Sequence, residues 1–232
     1  MLTEAKKLEI SIAVFQQSYP RYLSFFSPFF PTEEDAIWFI HACEFNDDVS
    51  IKRAMHQLVR TISMADNAYK LDENTKLGGI QVQYWIMAIE ALYKTVNQKK
   101  IKTKSAIIRD FFTNYISPEH QEKLIQAIWT SEEKPLSILE IANLFNGIRN
   151  MVAHEGIYWM CRFPDDENMG GYILNPKQEE ALKNSTYHIG DNPGLNENMT
   201  FYVLQLTDKQ IRDIIVYGGI GYILRLIASV AS

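Results

Sequence analysis

Three polar residues stand at the end of an otherwise apolar stretch in the middle of the chain. Residues 146 to 156 read NGIRNMVAHEG and contain Arg149, Asn150 and His154. Arginine presents a permanently charged fork that suits phosphate oxygens, and histidine exchanges a proton near neutral pH. Asparagine can hydrogen-bond a phosphate or orient an imidazole. Together these types could cleave RNA without metal: one group deprotonates the ribose 2′-hydroxyl, one stabilises charge at phosphorus, and one protonates the leaving 5′-oxygen.

The segment that carries these residues is predicted to be a helix. It opens with Ser137 and Glu140 in the spacing of a capping box and closes at Gly156, a residue type that often ends helices. A helical wheel gathers an apolar stripe that should face the core, formed by Ile141, Leu144, Phe145, Ile148, Met151 and Val152.

The opposite side of this helix is polar but almost uncharged, and Arg149 lies at the edge of the apolar stripe. We call this side the polar face; it consists of Asn143, Gly147, Asn150 and His154. A glycine inside a helix costs about 1 kcal/mol relative to alanine. Gly147 therefore indicates that another backbone approaches closely, as it does where two helices meet.

The spacing of Arg149 and His154 limits how they can cooperate. Residues five apart on a regular helix point about 140° away from each other, so one straight helix cannot direct both at one phosphate. Two copies packed across a twofold axis remove this difficulty, and local unwinding before Gly156 would help as well. We therefore expect a homodimer that pairs through the polar face. The alternative is purely structural: Arg149 as a surface residue and His154 as a helix-end histidine bonded to a carbonyl.

Arg149-Asn150-x-x-x-His154, late in a long helix, resembles the signature of the HEPN superfamily (higher eukaryotes and prokaryotes nucleotide-binding). The helix IQVQYWIMAIEALYKTVN, with Glu90 among apolar residues, also resembles the earlier core helices of that superfamily. The resemblance covers the middle of the chain. It implies an HEPN-like helical bundle that dimerises to build a composite, metal-independent ribonuclease site from Arg149, Asn150 and His154.

The resemblance further implies a toxin or phage-defence role, with an antitoxin or defence partner protein. Members controlled by a nucleotidyltransferase often carry a tyrosine two residues after the histidine. This chain has Gly156 at that position and Tyr158 two residues further on. Two other interpretations remain open. One is a non-catalytic HEPN-like module that binds nucleotide, RNA or a partner protein, and the other is a purely structural interaction protein.

Composition narrows the class of protein. The chain has 232 residues, a net charge of −5 and 47% hydrophobic residues, which is ordinary for a soluble globular protein and excludes a broad basic surface for coating nucleic acid. Cys43 and Cys161 are far apart, which favours a reducing cytoplasm over a disulfide framework. The apolar C-terminal stretch is interrupted by Arg225 and diluted by glycines, so we interpret it as a buried or dimer-facing helix, not a membrane span.

The periodicity predicts a mainly α fold with a small β-meander before the C-terminal helix. We expect a single domain over 1–232: an aromatic N-terminal arm over 1–31 that prolines keep from forming one helix, a strand-rich excursion over 157–206, and a last helix over 207–232. Predicted helices fill the interval between arm and excursion.

No other motif points to a cofactor or a metal. The remaining histidines lack metal-site spacing, and His41 with Cys43 is better explained as a core pair than as a ligand pair. A lysine cluster is interpreted as a solvated helix end and loop in preference to a patch that guides an RNA strand; it comprises Lys94, Lys99, Lys100, Lys102 and Lys104.

Overall fold

Helices make up most of the protein. The structure is a computed structural model that describes residues 4–71, 78–96, 103–130, 132–156, 161–165, 170–176 and 199–230. The helices within these ranges are α1 (Glu4–Phe26), α2 (Glu33–Glu44), α3 (Val49–Leu71), α4 (Gly79–Val96), α5 (Lys104–Asn114), α6 (Pro118–Ala127), α7 (Ile138–Asn150) and α8 (Asp208–Val230). The strands are β1 (Ile128–Thr130), β2 (Cys161–Arg162), β3 (Gly171–Pro176) and β4 (Met199–Leu204). The predicted mainly α fold is therefore confirmed, while its HEPN-like nature and the single-domain division stay predictions.

The bundle is built around α4. This helix packs along α3 on one side, against α7 and α5 on another, and against α8, which also crosses α3. The space between these helices is filled by large side chains that are fully buried, among them Trp85, Phe26, Phe39, Phe111, Phe112 and Phe145. Burying each such side chain contributes about 1.5–3 kcal/mol, so the core holds α7, and with it the polar face, in a fixed position.

Residues whose side chains can cap a helix stand at the starts of several helices. Thr32 and Ser117 accept hydrogen bonds from the first turns of α2 and α6. Thr207 and Gln210 form reciprocal hydrogen bonds at the start of α8, with 2.9 Å from the Thr207 N–H to the Gln210 Oε1. Each such cap satisfies amide groups that the helix itself leaves unpaired.

The expected break in the N-terminal arm is not found. α1 runs without interruption from Glu4 to Phe26 with Pro20 inside it, and a short 3-10 turn follows at Ser27–Phe29. Proline removes the hydrogen bond to the carbonyl four residues earlier. That carbonyl belongs to Gln16, which is exposed and can therefore bond to water. The aromatic residues of this segment pack as predicted, with the Phe26 and Phe39 rings 5.0 Å apart.

The strand-rich excursion forms a meander, but with an unexpected fourth strand. β2, β3 and β4 are antiparallel neighbours, and β1 pairs with the free edge of β4, giving the order β1-β4-β3-β2. The segment SPEHQEKLIQAIWTS predicts a helix that continues through Ile128, but in the structure Ile128 begins β1 and lies opposite Leu204. The change of structure at Ala127 is a tertiary effect, because an edge of β4 supplies hydrogen-bond partners that no local signal announces.

α8 is long enough and apolar enough to span a membrane by length and composition alone. In the structure one side of this helix is buried against α3 and α4, which agrees with its interpretation as a buried helix. Two glycines allow α8 to pack closely on its neighbours. A Cβ added to Gly218 would lie 2.8 Å from the Phe111 ring of α5, and one added to Gly219 would lie 2.8 Å from Leu58 of α3.

Several predictions concern residues outside the described ranges, and they stay predictions. Tyr158, His188, Lys99, Lys100 and Lys102 belong to this group. Lys94 and Lys104, the remaining members of the lysine cluster, are exposed.

We expect Gly218→Val to lower the free energy of unfolding by about 2 kcal/mol, because the new side chain must displace the buried Phe111 ring. Urea unfolding followed by circular dichroism measures the change. Gly221→Ala on the same helix is the matched control, since an added Cβ there lies 3.6 Å from its nearest neighbour. Equal stability of the Gly218→Val protein and the wild type would contradict the close packing of α8.

Candidate functional site

α7 begins and ends with the local structure that its sequence predicts. Ser137 accepts from the Glu140 N–H at 3.3 Å, and the Glu140 carboxylate accepts from the Ser137 N–H at 2.8 Å. The Ser137 hydroxyl also donates to the Glu140 carboxylate at 2.7 Å, and this bond together with the one from the Ser137 N–H holds the pKa of Glu140 below its ordinary value. At the other end Gly156 has φ +68°, a left-handed conformation that favours glycine, and its N–H donates to the Met151 carbonyl.

The last turn before Gly156 is wider than an α-helix. Met151–Glu155 form a π-helical turn, in which each N–H bonds to the carbonyl five residues back. Such turns are rare and occur frequently at functional sites. A π turn rotates the chain by a smaller angle per residue than an α turn does. The angle between the directions of Arg149 and His154 around the helix axis is therefore smaller than the 140° or so of a regular helix. The local unwinding that the spacing calls for is therefore present.

Arg149 is buried instead of lying at the surface. It is 7% exposed, and its guanidinium Nη2 lies 3.0 Å from Oε1 of Glu90, which is 4% exposed. Glu90 comes from α4, so this ion pair joins α4 to α7. The Lys94 ammonium lies 3.9 Å from the other Glu90 oxygen. The structural alternative of Arg149 as a surface residue is thus wrong. No local pattern in the sequence indicates that Glu90 and Arg149 are partners.

The ion pair leaves hydrogen-bonding capacity unused. Arg149 Nε is buried without a hydrogen-bond partner among the described residues, and the contact at Glu90 Oε1 is close but lacks hydrogen-bond alignment. Buried polar groups of this kind are costly, and an apolar pair of similar volume is often as stable or more stable. Stability therefore does not explain why this chain keeps the pair.

Asn150 links the buried arginine to the surface. Its Oδ1 accepts a hydrogen bond from Arg149 Nη1 at 2.9 Å, while the residue itself is exposed. Since the carbonyl oxygen of Asn150 is bonded to Arg149, the amide NH₂ of Asn150 is left to donate hydrogen bonds to other groups at the surface. Arg149 thus fixes the orientation of Asn150 without any rearrangement, whereas direct contact of Arg149 with a phosphate would require its pair with Glu90 to open.

The polar face is open. Asn143, Asn150 and His154 are exposed, and a Cβ added to Gly147 would meet nothing within 4 Å. The apolar stripe lies on the other side as predicted: Ile141, Leu144, Phe145, Ile148 and Met151 are buried, and Val152 is partly buried against the core. Among the described residues, no neighbour therefore requires a glycine at position 147.

The other histidines within the described ranges lie away from the polar face. His41 is exposed, with its ring 5.9 Å from Phe15, and Cys43 is buried, so the two do not form the core pair that we expected. His56 contacts Glu44 at 3.0 Å, and burial lowers the pKa of His120. No group of three or more potential metal ligands occurs within the described ranges.

Comparison with known proteins returns nothing. No family model, no curated protein and no solved structure matches this chain. The likeness to the HEPN superfamily therefore rests on the residues of the motif and on their context.

We expect Glu90→Leu to destabilise the fold by about 3 kcal/mol, since it leaves the Arg149 guanidinium buried without its counter-charge. Adding Arg149→Met should restore most of the loss, because two apolar side chains then replace the ion pair. Chemical unfolding of the two single variants and the double variant measures the coupling. Lys94→Met is the control: its side chain is 58% exposed, and its loss should change stability by less than about 1 kcal/mol. Additive effects of the two substitutions would contradict a direct interaction.

Proposed function

We propose that this protein is a metal-independent endoribonuclease of the HEPN type. The observation that carries the proposal is the π turn at Met151–Glu155, which exposes His154 directly after the Arg149–Asn150 hydrogen bond, on a face that no other part of the described chain covers. The unsatisfied ion pair beneath that face adds support, because polar groups that do not serve stability are commonly kept for function.

The chemistry assigns a role to each group. A neutral His154 imidazole accepts the proton of a ribose 2′-hydroxyl as its oxygen attacks phosphorus, and a protonated imidazole delivers a proton to the departing 5′-oxygen. The products are a 2′,3′-cyclic phosphate and a free 5′-hydroxyl. Asn150 donates from its amide to a phosphate oxygen, and Arg149 holds Asn150 in place through the hydrogen bond to its carbonyl oxygen.

These roles require a base and an acid in the same event, so one histidine in one copy is not sufficient. We propose that two chains pair through their polar faces and that each contributes His154, one neutral and one protonated. A twofold axis through the face brings each motif against its symmetry mate. The open space at Gly147 permits close approach of the two α7 helices.

The biological setting follows from the resemblance alone. It favours a cytoplasmic toxin or phage-defence protein that acts on RNA and that an antitoxin or other defence partner protein could control. Gly156 stands where a tyrosine often stands in members neutralised by a nucleotidyltransferase, so control of that form is not part of the proposal.

A non-catalytic HEPN-like module is the second candidate, and the burial of Arg149 favours it. An arginine that is already paired with Glu90 is less available to a phosphate in the transition state. Such a module would bind RNA or nucleotide at the polar face in a manner that depends on Arg149, and it would leave the strand intact.

Purified protein should cleave single-stranded RNA in the presence of EDTA, and His154→Ala should reduce the rate about a hundredfold or more. Gel analysis of end-labelled RNA measures the rate and identifies the cyclic phosphate end. Glu155→Ala, in the same π turn and also exposed, is the matched control and should retain activity.

Two outcomes would count against this assignment. Equal cleavage by the wild type and His154→Ala would show that the site lies elsewhere. RNA that binds the wild type, binds more weakly to Arg149→Met and is never cut would favour the non-catalytic module.

The pairing of two chains has its own test. Gly147→Lys should convert a dimer to a monomer and abolish cleavage, because it places two bulky like charges at the twofold axis. It should leave the fold intact, because no described residue lies within 4 Å of a Cβ at this position. Sedimentation velocity reports the mass and thermal unfolding reports the fold. Glu119→Lys, an exposed change on α6, is the control. A wild-type protein that sediments as a monomer at all concentrations would refute the composite site.

A further inference from the structure

A second group of cations lies away from the polar face, between α1 and α3. A groove of about 360 Å³ opens here, lined by Arg21, Tyr22, Arg53, His56, Gln57, Val59 and Arg60. The residues that line it include three arginines and no carboxylate. The chain as a whole has a net charge of −5, so the groove is positively charged on a protein that is negatively charged overall.

The three arginines of the groove have no hydrogen-bond or ion-pair partner among the described residues. Arg21, Arg53 and Arg60 are exposed, and none makes a hydrogen bond or ion pair within the part of the chain that the structure describes. Elsewhere in the same protein arginines are paired: Arg149 with Glu90, and Arg212 with Asp66 through two hydrogen bonds. The groove therefore keeps its hydrogen-bond donors available to an external anion.

The carboxylate nearest to this groove is already neutralised. Glu44 is buried and contacts both Lys52 and His56, which lies 3.0 Å away. These residues line a smaller neighbouring cavity of about 290 Å³ that shares Tyr22 and His56 with the groove. Because Lys52 and His56 hold both oxygens of Glu44, this carboxylate is not a partner for the three arginines.

The groove also has a flat wall. The rings of Tyr22 and His56 stack, with centroids 5.2 Å apart and planes inclined by 19°. Burial and the nearby Glu44 raise the pKa of Tyr22, so its hydroxyl stays a neutral donor at neutral pH. The Gln57 amide adds further donor and acceptor atoms. Aromatic surface beside arginine is the combination by which proteins hold single-stranded nucleic acids.

The spacing of the arginines indicates a chain of phosphates. Arg53 and Arg60 are two turns apart on α3, which corresponds to a rise of about 10 Å, and Arg21 faces them from α1. Positions spaced over this length on one wall, with a third arginine on the opposite wall, match the successive phosphates of a strand that runs along the groove.

We propose that the groove between α1 and α3 binds the phosphate backbone of a single-stranded polynucleotide, with Arg53 and Arg60 on one wall and Arg21 on the other. The stacked pair of Tyr22 and His56 offers a surface for a base. This assignment concerns binding alone and stands whether or not the protein cleaves RNA at His154.

The test is a fluorescence anisotropy titration with a labelled oligouridylate of about ten nucleotides, a length within the range that single-strand sites cover. Its sugars are 2′-O-methylated, so cleavage through the 2′-oxygen cannot occur. The wild type should bind it, and the logarithm of the affinity should fall with the logarithm of salt concentration with a slope of about −2, as expected for roughly three phosphate contacts.

Arg53→Gln/Arg60→Gln should weaken binding about tenfold or more. Arg53→Lys/Arg60→Lys should fall between the two, because lysine keeps the charge and loses the bidentate fork. Lys123→Gln/Lys134→Gln is the matched control: it removes the same number of charges from exposed positions outside the groove and should bind as the wild type does. Circular dichroism of each variant establishes that it is folded.

Three results would overturn the proposal. The first is equal affinity of the wild type and Arg53→Gln/Arg60→Gln. The second is an equal loss in the Lys123→Gln/Lys134→Gln control, which would make the effect one of total charge. The third is adenosine monophosphate binding as tightly as the oligonucleotide, which would make the groove a mononucleotide site. Because the probe cannot be cleaved, failure here leaves the cleavage assay with unmodified RNA unaffected, and the two proposals fail separately.

Discussion

The buried ion pair between Glu90 and Arg149 is the constraint around which the rest of this molecule is arranged. It ties α4, the central helix, to the end of α7, at the point where the α-helix gives way to a π turn. Since an unpaired charge in this position would be far more costly than the pair itself, α7 cannot rotate or slide on α4 without breaking it. The orientation of the polar face is therefore set from inside the core.

The same pair gives Arg149 a role that differs from that of the groove arginines. Arg149 contacts Glu90 with one edge and the Asn150 carbonyl oxygen with another, so it is held within the protein while Asn150 and His154 face outward. By contrast, the arginines of the groove between α1 and α3 are exposed and unpaired among the described residues. Arg149 thus positions its neighbour, whereas the hydrogen-bond donors of the groove arginines are open to solvent.

Features that depend on contacts between residues close in sequence could be predicted, and features that depend on contacts between distant segments could not. Ser137 with Glu140 and Thr207 with Gln210 are partners three residues apart, so their caps are legible from the chain and are found in the structure. The continuity of α1 through Pro20 could not be predicted, because it depends on the solvation of an exposed carbonyl. The strand at Ile128–Thr130 could not be predicted either, because it depends on the edge of a distant strand. At the candidate site, the apolar stripe and the exposed face were predictable from periodicity, but the partnership of Glu90 and Arg149 was not, since it joins two helices. The groove could be predicted only in part. The spacing of Arg53 and Arg60 places them on one face of α3, but the sequence does not indicate that Arg21 of α1 lies opposite them.

The pairing of β1 with β4 has a consequence for how the chain is made. β1 directly follows α6, but its partner belongs to a segment that emerges from the ribosome only after α7 and the other strands. Until then Ile128 and its neighbours have an unsatisfied backbone edge, and the surface of α3 that α8 later covers is bare. A nascent chain of this protein therefore exposes apolar surface and an unpaired strand edge until β4 and α8 have been synthesised, and exposed surfaces of this kind favour aggregation or binding by a chaperone.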